Sequence, residues 1–276
     1  MKAKFLVPEI DRKRWAKEFK ERMRLYELKS KDLNDIGASS NSEQRINKLK
    51  NGAIPLIEPF LALCRFFNCP PDVFLYANPK WVECDIDRSI DDIWPWRILG
   101  LYKDTCYLVP NYEIYDLGYE FTVGAKIKRL KKEPDPARYS NYHQWGTKYD
   151  LENRVAGGKI VYHFPYLDDE KTSAKIFSLL NQHGLSNKQV QKLLGLSAQS
   201  LSNRRCPPGG SRTWQRWTIR DIYKLSWILN LRFEDLLKIK YQREKRKSIF
   251  DPIVFIMHYE PRKKKAPAKK PARHDD

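Results

Sequence analysis

Apolar residues recur at helical spacing in two separate blocks of the chain. The first block runs from about Trp15 to Tyr76, and the second from about Ser173 to Ile239. In both blocks the apolar side chains are three or four positions apart, which places them on one face of a helix. Neither block has the alternation of apolar and polar residues that is typical of a half-buried strand. The pattern therefore predicts two compact helical bundles.

The segment between the two blocks, roughly residues 82–170, has a different composition. Tyr, Trp, Pro and Gly are frequent there, and Pro and Gly separate short runs of β-prone residues. These runs are Thr105–Val109, Tyr119–Val123 and Lys159–Phe164. We expect an irregular β-containing middle domain or linker. Its tryptophans pack into its own core or against the bundles or, if exposed, mark an interface.

The last part of the chain contains one apolar run, Pro252–Tyr259, followed by an end rich in Lys, Ala and Pro. The run has the composition of a strand, whereas the end cannot bury apolar surface and is expected to be disordered. The predicted domains are the first bundle, the middle segment, the second bundle and a basic extension, at residues 1–80, 81–170, 171–240 and 241–276.

The charge of the chain narrows the choice of partner. Lys and Arg number 52 against 34 Asp and Glu, so the formal net charge is +18. Such an excess favours a polyanion, with nucleic acid first and an anionic membrane surface second. The chain has no apolar run long enough to cross a bilayer and no signal-peptide core near its start, so we expect a cytoplasmic protein without a membrane partner. Its five cysteines lack C-x-x-C spacing, which favours free thiols over disulfides or zinc.

A short sequence motif occurs twice in the chain. It reads SNSEQRINKLKNG from Ser40 to Gly52 and GLSAQSLSNRR from Gly195 to Arg205. In each copy a Ser is followed four positions later by an aliphatic residue, Ile46 or Leu201, and then by basic residues. The repetition indicates that both bundles contain the same structural unit.

The second copy has the local chemistry of two short helices joined by a turn. Ser186 is a suitable N-cap for a helix over Asn187–Leu194, and Gly195 permits a left-handed turn. Ser197 can then cap a second helix, Ala198–Arg204. Two short helices joined by a three-residue turn that contains Gly form a helix-turn-helix.

Both blocks resemble the Cro/C1-type helix-turn-helix family, also called XRE, of phage repressors and bacterial regulators. In the first block the resemblance is carried by KLKNG at Lys48–Gly52, by Pro55 and by the helical pattern of Leu56–Leu75. In the second block it is carried by Gln189–Arg205 and Asp221–Leu237. The resemblance implies a mainly α fold with two five-helix bundles. Two departures are DIGASSN, which lengthens the turn of the first block, and CPPGGSRTWQRW, which enlarges a loop of the second.

The second helix of each unit is expected to enter the major groove of double-stranded DNA. Polar and amide side chains at its start can donate and accept hydrogen bonds at base edges, and basic side chains at its end can reach phosphates. The candidate base-reading residues are Glu43, Gln44, Arg45, Asn47, Ala198, Gln199, Ser200, Ser202 and Asn203. The candidate backbone contacts are Ser42, Lys48, Lys50, Asn51, Ser197, Arg204, Arg205 and Arg212.

The patterns that would indicate an enzyme are weak. The histidines are scattered, and AGGKI at Ala156–Ile160 lacks the glycine spacing and the ending of a P-loop. The acidic run Asp168–Glu170 is more typical of the start of a helix than of a Mg²⁺ site. We expect neither catalysis nor a cofactor nor a bound metal.

The sequence therefore predicts a nucleoid-associated regulator of transcription, of bacterial or phage origin, that reads DNA with two different helices. A non-palindromic target follows if one chain binds as a covalent pseudo-dimer, whereas a homodimer using one helix per chain would bind a palindrome. A contact with RNA polymerase stays open. The alternative is a protein-interaction adaptor or antitoxin-like module whose DNA binding is only non-specific.

Overall fold

The computed structural model describes residues 2–25, 30, 42–66, 71–75, 77–86, 96–110, 119–120, 123–124, 127–129, 162–205 and 214–244. The expected strand at Pro252–Tyr259, the basic tail and Arg212 lie outside these ranges. The expected turn before Ser42 in the first block also lies outside them.

A mixed four-stranded sheet contains both the start of the chain and its middle segment. Its strands are β1 (Lys2–Ile10), β2 (Ala77–Asp85), β3 (Trp96–Tyr102) and β4 (Thr105–Pro110), and their spatial order is β2-β1-β4-β3. The β1–β2 and β3–β4 pairs are antiparallel, whereas β1 and β4 are parallel. The predicted run at Thr105–Val109 is confirmed as a strand.

Strand β1 was not predicted, and its sequence explains why. Phe5, Leu6 and Val7 are all buried, so the strand is covered on both faces and has no apolar–polar alternation. Pro8 follows, and a proline cannot donate to a ladder, so it argues against an interior strand. The parallel ladder with β4 ends at Phe5, and Pro8 lies opposite Pro79 of β2. The sheet therefore requires no backbone N–H donor at Pro8 or at Pro79.

Two smaller antiparallel pairs complete the described strands. β5 (Tyr119–Glu120) pairs with β6 (Lys128–Arg129), and β7 (Tyr162–Leu167) pairs with β8 (Ile239–Glu244). Only the first two residues of the expected run at Tyr119–Val123 are in β5. The expected run that ends at Phe164 overlaps β7 from Tyr162 onward.

The helices of the first block are α1 (Arg12–Leu25), α2 (Ser42–Lys50), α3 (Ile57–Phe66) and α4 (Pro71–Phe74). Those of the second block are α5 (Asp169–Gln182), α6 (Asn187–Leu194), α7 (Ala198–Asn203) and α8 (Ile219–Ile228), followed by a 3₁₀ turn at Glu234–Leu236. Asp168 caps α5, because its side chain accepts a hydrogen bond from the Lys171 backbone N–H. Within the described ranges, no helix combines the length and apolar character needed to cross a membrane.

One apolar core joins both blocks to the sheet. Trp15 of α1 is fully buried, and its ring centroid lies 4.5 Å from that of Phe74. The ring of Phe60 on α3 lies 5.7 Å from that of Phe233, which belongs to the second block. Helix α8 packs on β1, and α3 packs on β7. Burial of each such large apolar side chain contributes ~1.5–3 kcal/mol, so the two blocks stabilise each other.

The expected fold class, two five-helix bundles in a mainly α protein, is wrong. The described residues form a mixture of helices and strands that includes the four-stranded sheet. The physical reason is that β1, which precedes the first block, pairs with β2 and with β4 of the middle segment, across a long sequence separation. The predicted domain boundaries after residues 80, 170 and 240 fall inside β2, α5 and β8.

A charged cluster also connects β1 to the second block. The Glu9 carboxylate lies 2.8 Å from Lys224 Nζ and 3.0 Å from Arg220 Nη2, both on α8, and 2.9 Å from Lys80 Nζ on β2. Burial raises the pKa of Glu9, but hydrogen bonds from the three cations outweigh this effect and lower the pKa to about 2. Burial lowers the pKa of Lys224. The cluster fixes α8 against the sheet.

Candidate nucleic-acid interface

Helix α6 begins and ends where its sequence predicts. The Gln189 backbone N–H donates to Ser186 Oγ at 3.3 Å, and the Ser186 N–H donates to Gln189 Oε1 at 2.8 Å, which together form a capping box. Gly195 ends the helix with φ of 71°, in the left-handed region. Its N–H donates to the Gln191 carbonyl at 2.8 Å.

Helix α7 follows after a short turn. Ser197 is its N-cap and accepts a hydrogen bond from the Ser200 N–H at 3.0 Å. The helix ends at Asn203, and Arg204 is its C-cap. Helices α6 and α7 contact each other. The predicted succession of two short helices with a Gly-containing turn is therefore present at these residues.

The two faces of α7 differ sharply in exposure. Leu201 is 2% exposed and packs in the core, whereas Ala198, Gln199 and Ser202 are exposed. Ser200 and Asn203 are partly buried at the edge of this outward face.

The two amide side chains on the outward face are ordered by each other. Gln199 Nε2 donates to Asn203 Oδ1 at 2.7 Å, one helical turn away. Within the described part of the chain, Gln199 Oε1 and Asn203 Nδ2 make no hydrogen bond. The hydrogen bond leaves the Gln199 carbonyl oxygen as an acceptor group and the Asn203 NH2 as a donor group, the two kinds of group that contact base edges.

Arg204 does not have the phosphate-binding role that its position in the sequence suggested. It is 6% exposed, and its Nε and Nη2 atoms donate to Asp221 Oδ2 at 3.1 and 2.9 Å. Its Nη1 atom donates to Gln215 Oε1 at 2.8 Å, and the guanidinium lies over the ring of Trp217. The expectation that Arg204 contacts the DNA backbone is therefore wrong, because the side chain is buried in an ion pair with α8.

Arg205, the next residue, is exposed. Its guanidinium lies 4.5 Å from the ring centroid of Phe177, and its Nη2 atom is 3.5 Å from Asn187 Oδ1. The Phe177 ring restricts the side chain without neutralising its charge. Arg205 therefore keeps a cation beside the start of α6, where it can reach a phosphate.

Helix α2, the corresponding helix of the first block, has the same division into two faces. Ile46 and Leu49 are buried, at 6% and 7% exposure. The candidate residues on its outward face are exposed, namely Gln44, Arg45, Asn47 and Lys48. Ser42 and Glu43 form the first turn of the helix, and their side chains lie outside the described part.

The end of α2 is less open than its middle. Lys50 is partly buried and donates from Nζ to Ser30 Oγ at 3.0 Å. Asn51, the next residue, is exposed and begins the turn that leads to α3.

Contacts from distant parts of the chain position α6. Gln189 Nε2 donates to the Asp85 carbonyl at 3.1 Å, and Lys192 Nζ lies 3.5 Å from Asp85 Oδ2. At the other end of α6, Lys224 Nζ donates to the Leu194 carbonyl at 3.1 Å. Sequence patterns did not reveal the roles of Asp85 and Lys224; the one available signal is a lysine within the apolar run IYKLSWIL. Strand β2 and helix α8 thus set the orientation of the helix that precedes α7.

The described residues offer no site for a metal. No group of three or more His, Cys, Asp or Glu side chains in this part of the chain could hold an ion. Asp168 lies 2.9 Å from Lys240 Nζ in addition to capping α5, and Asp169 pairs with Arg216. These two carboxylates of the acidic run serve the start of the helix, as the sequence favoured.

Three comparisons with known proteins bear on the family of this chain. A scan against protein-family models, a search of curated proteins and a search of solved structures all found no match.

Proposed function

We propose that this protein is a sequence-specific double-stranded DNA-binding regulator of transcription, of Cro/C1 helix-turn-helix type and of bacterial or phage origin. The observation that carries the proposal is the geometry of α7. Leu201 anchors the helix in the core, while Gln199 and Ser202 face outward at its opposite side. A short helix with an apolar inner face and amide and hydroxyl groups outside is what major-groove reading requires.

The electrostatics of the chain support the same proposal. A formal net charge of +18 attracts a polyanion and gives affinity that does not depend on sequence. Arg205 places an exposed cation directly after α7. In this scheme phosphate contacts orient the protein on the duplex, and the outward side chains of α7 choose the sequence.

The outward residues of α2 give the chain a second reading helix with different chemistry. Gln44, Arg45 and Asn47 are exposed there, whereas α7 presents Gln199 and Ser202. Because the two sets differ, one chain bound through both helices would select two unlike half-sites. Such a regulator would act in the cytoplasm with the nucleoid, as a single chain or as a homodimer, and a contact with RNA polymerase is compatible with it.

The test is a gel-shift titration with duplexes selected from random DNA. Truncation of a base-reading amide, Gln199→Ala, is expected to weaken binding to the selected duplex by about 5- to 150-fold, equivalent to ~1–3 kcal/mol. Binding to random duplexes should be unchanged. The matched control is Gln182→Ala, which removes an exposed amide at the end of α5 and should change neither affinity. Equal losses on selected and random DNA, or an equal effect of Gln182→Ala, would contradict base reading by α7.

A protein-interaction adaptor is the second candidate, and strand β3 favours it. β3 is an edge strand of the sheet, and Leu101 and Tyr102 on it are 64% and 45% exposed. Exposed apolar side chains on a sheet edge are typical of protein interfaces. Selection that enriches no DNA sequence, with uniform binding to random duplexes, would favour the adaptor.

A further inference from the structure

An open groove with a volume of about 620 Å³ lies between α1 and the turn that follows α2. Residues of both elements line it, and nearly all the polar ones are cationic. They are Arg12, Lys13, Lys17, Lys20, Lys50 and Asn51. Lys50 and Asn51 were candidate backbone contacts from the sequence, whereas the cations of α1 were not singled out there.

The cations of α1 form one face of the helix. Lys13, Lys17 and Lys20 are spaced four and three residues apart and are all exposed. Trp15 and Phe19 point into the core on another side of the helix. The spacing of these three lysines in the sequence already indicates a basic face on the side of the helix opposite the buried one.

Carboxylates do not neutralise this face. No acidic residue lines the groove. Within the described part of the chain, Lys13, Lys17 and Lys20 form no ion pair. By contrast, two buried cations elsewhere have carboxylate partners: Lys224 pairs with Glu9, and Arg204 with Asp221. The groove therefore combines several exposed positive charges with no internal counterion, and a dissolved anion must supply the balance.

The opposite wall of the groove is a fixed turn. Gly52 has φ of 89°, and a Cβ atom at this position would lie 3.0 Å from the Arg12 carbonyl oxygen. Trp15 Nε1 donates to the Ala53 carbonyl at 3.2 Å, so the turn is tied to the buried face of α1. The Ala53 N–H donates to the Lys48 carbonyl at 3.0 Å. These contacts set the separation of the two walls before any ligand binds.

The chemistry of the lining residues identifies the class of ligand. Long flexible ammonium groups bind phosphate oxygens as point charges, and the groove has no aromatic platform for a base to stack on. From Lys13 to Lys20 the helix rises about 10 Å, since each residue adds ~1.5 Å. Phosphates along one DNA strand advance by ~3.4 Å each along the duplex axis, and the flexible lysine side chains allow each of the three ammonium groups to contact a different phosphate.

We propose that the groove between α1 and the α2–α3 turn binds the phosphate backbone of duplex DNA beside the major groove that α2 enters. The proposal rests on the proposed function, since α2 ends at Lys50, which lines the groove. It assigns α1, a helix outside the helix-turn-helix unit of either block, to DNA binding. Its contribution is affinity without sequence choice.

The test compares two triple variants of the full chain that lose the same charge. The groove variant is Lys13→Gln, Lys17→Gln and Lys20→Gln. The control variant is Lys2→Gln, Lys103→Gln and Lys238→Gln, at exposed positions outside the groove. Affinity for a selected duplex and a random duplex is measured from 50 to 200 mM salt. Thermal unfolding of each variant verifies that the fold is intact, as exposed positions lead us to expect.

The groove variant should flatten the slope of log K against log salt by about 2.7, because each lost phosphate contact removes ~0.9. The ratio of the affinity at 50 mM salt to that at 200 mM salt should then be about 40-fold smaller for the groove variant than for the unmodified chain. Selected and random duplexes should be affected alike, and the control variant should change the slope by less than a third as much.

Two results would overturn the groove proposal. One is a groove variant with the slope of the control variant; the other is tighter binding of duplex RNA than of DNA, lost in the groove variant. The proposed function has a separate readout, the ratio of selected to random affinity in Gln199→Ala. If Gln199→Ala leaves that ratio unchanged, the proposed function fails whatever the salt slope of the groove variant. If the groove variant leaves the salt slope unchanged while Gln199→Ala lowers the ratio, only the groove proposal fails.

Discussion

Replacement of Arg204 by alanine tests the reassignment of this residue from DNA contact to internal ion pair. The Arg204 and Asp221 side chains are 8% and 5% exposed, so both charges are largely removed from water. The guanidinium makes two hydrogen bonds to Asp221 and one to Gln215. Arg204→Ala deletes all three and leaves the Asp221 carboxylate buried without its cation.

The expected loss of stability is large. Removal of one partner from a buried ion pair costs about 3–5 kcal/mol, because the remaining charge stays desolvated. Domains of ordinary stability have about 5–15 kcal/mol in total, so the variant should lose a large share of its free energy of unfolding. Asp221 also caps α8 through its contacts with Thr218, so the unpaired charge perturbs the start of that helix.

Urea denaturation measures this loss, and the neighbouring arginine provides the control. Arg205→Ala removes an exposed cation of the same size, so its effect on the free energy of unfolding should stay within about 0.5 kcal/mol. Its affinity for DNA should fall. The double variant Arg204→Ala with Asp221→Asn should lose less free energy of unfolding than the sum of the losses of the two single variants, because it leaves no unpaired charge.

The reasoning would be refuted by an Arg204→Ala protein that unfolds at nearly the same urea concentration as the unmodified chain. Loss of DNA affinity in that variant without loss of stability would return Arg204 to the phosphate-binding role. Equal behaviour of the two arginine variants in both assays would also contradict the assignment of Arg204 to an internal ion pair.

Three further predictions follow from particular contacts. Gly52→Ala should lower the free energy of unfolding by about 1–3 kcal/mol, because the backbone there is left-handed and the new Cβ meets the Arg12 carbonyl oxygen. Thermal unfolding measures this loss, and an unchanged stability would contradict the turn geometry. Glu9 has a folded pKa of about 2 against an ordinary 4.5, so its stabilisation is present above pH 4.5 and is lost as the pH falls toward 2. This stabilisation is worth roughly 3 kcal/mol, and Glu9→Gln should remove this part of the pH dependence in urea titrations at successive pH values. Asp85→Ala should lower the affinity for a selected duplex more than for a random one in gel shifts, since the Asp85 carboxylate pairs with Lys192 of α6, the helix that precedes α7. An unchanged ratio of the two affinities would show that this contact does not orient α7.

Local chemistry made part of this fold predictable. Ser186, Gly195 and Ser197 act through contacts within a few residues, so the caps and the left-handed turn could be read from the sequence alone. The inward positions of Ile46 and Leu201 followed from helical spacing in the same way. These features do not depend on what the rest of the chain does.

The missed features depend on long-range partners. β1 is recognisable only once its neighbours β2 and β4 are known, because its apolar run is unbroken and contains Pro8. From the sequence, Arg204 looks like any basic residue at the end of a short helix until Asp221, 17 positions later, is placed beside it. Strand pairing and ion pairing between distant segments leave no periodic signal in the sequence, so neither the four-stranded sheet nor the internal ion pair of Arg204 could be predicted from it.

The central claim is that the outward face of α7 lies against DNA bases. Its most direct test is photo-crosslinking of the full chain on a selected duplex, with a photoreactive amino acid at Gln199 in one variant and at Gln182 in the other. The account predicts crosslinks from position 199 to a few adjacent bases within the selected site, and none from position 182. Equal crosslinking from both positions, or no DNA adduct from position 199, would contradict it.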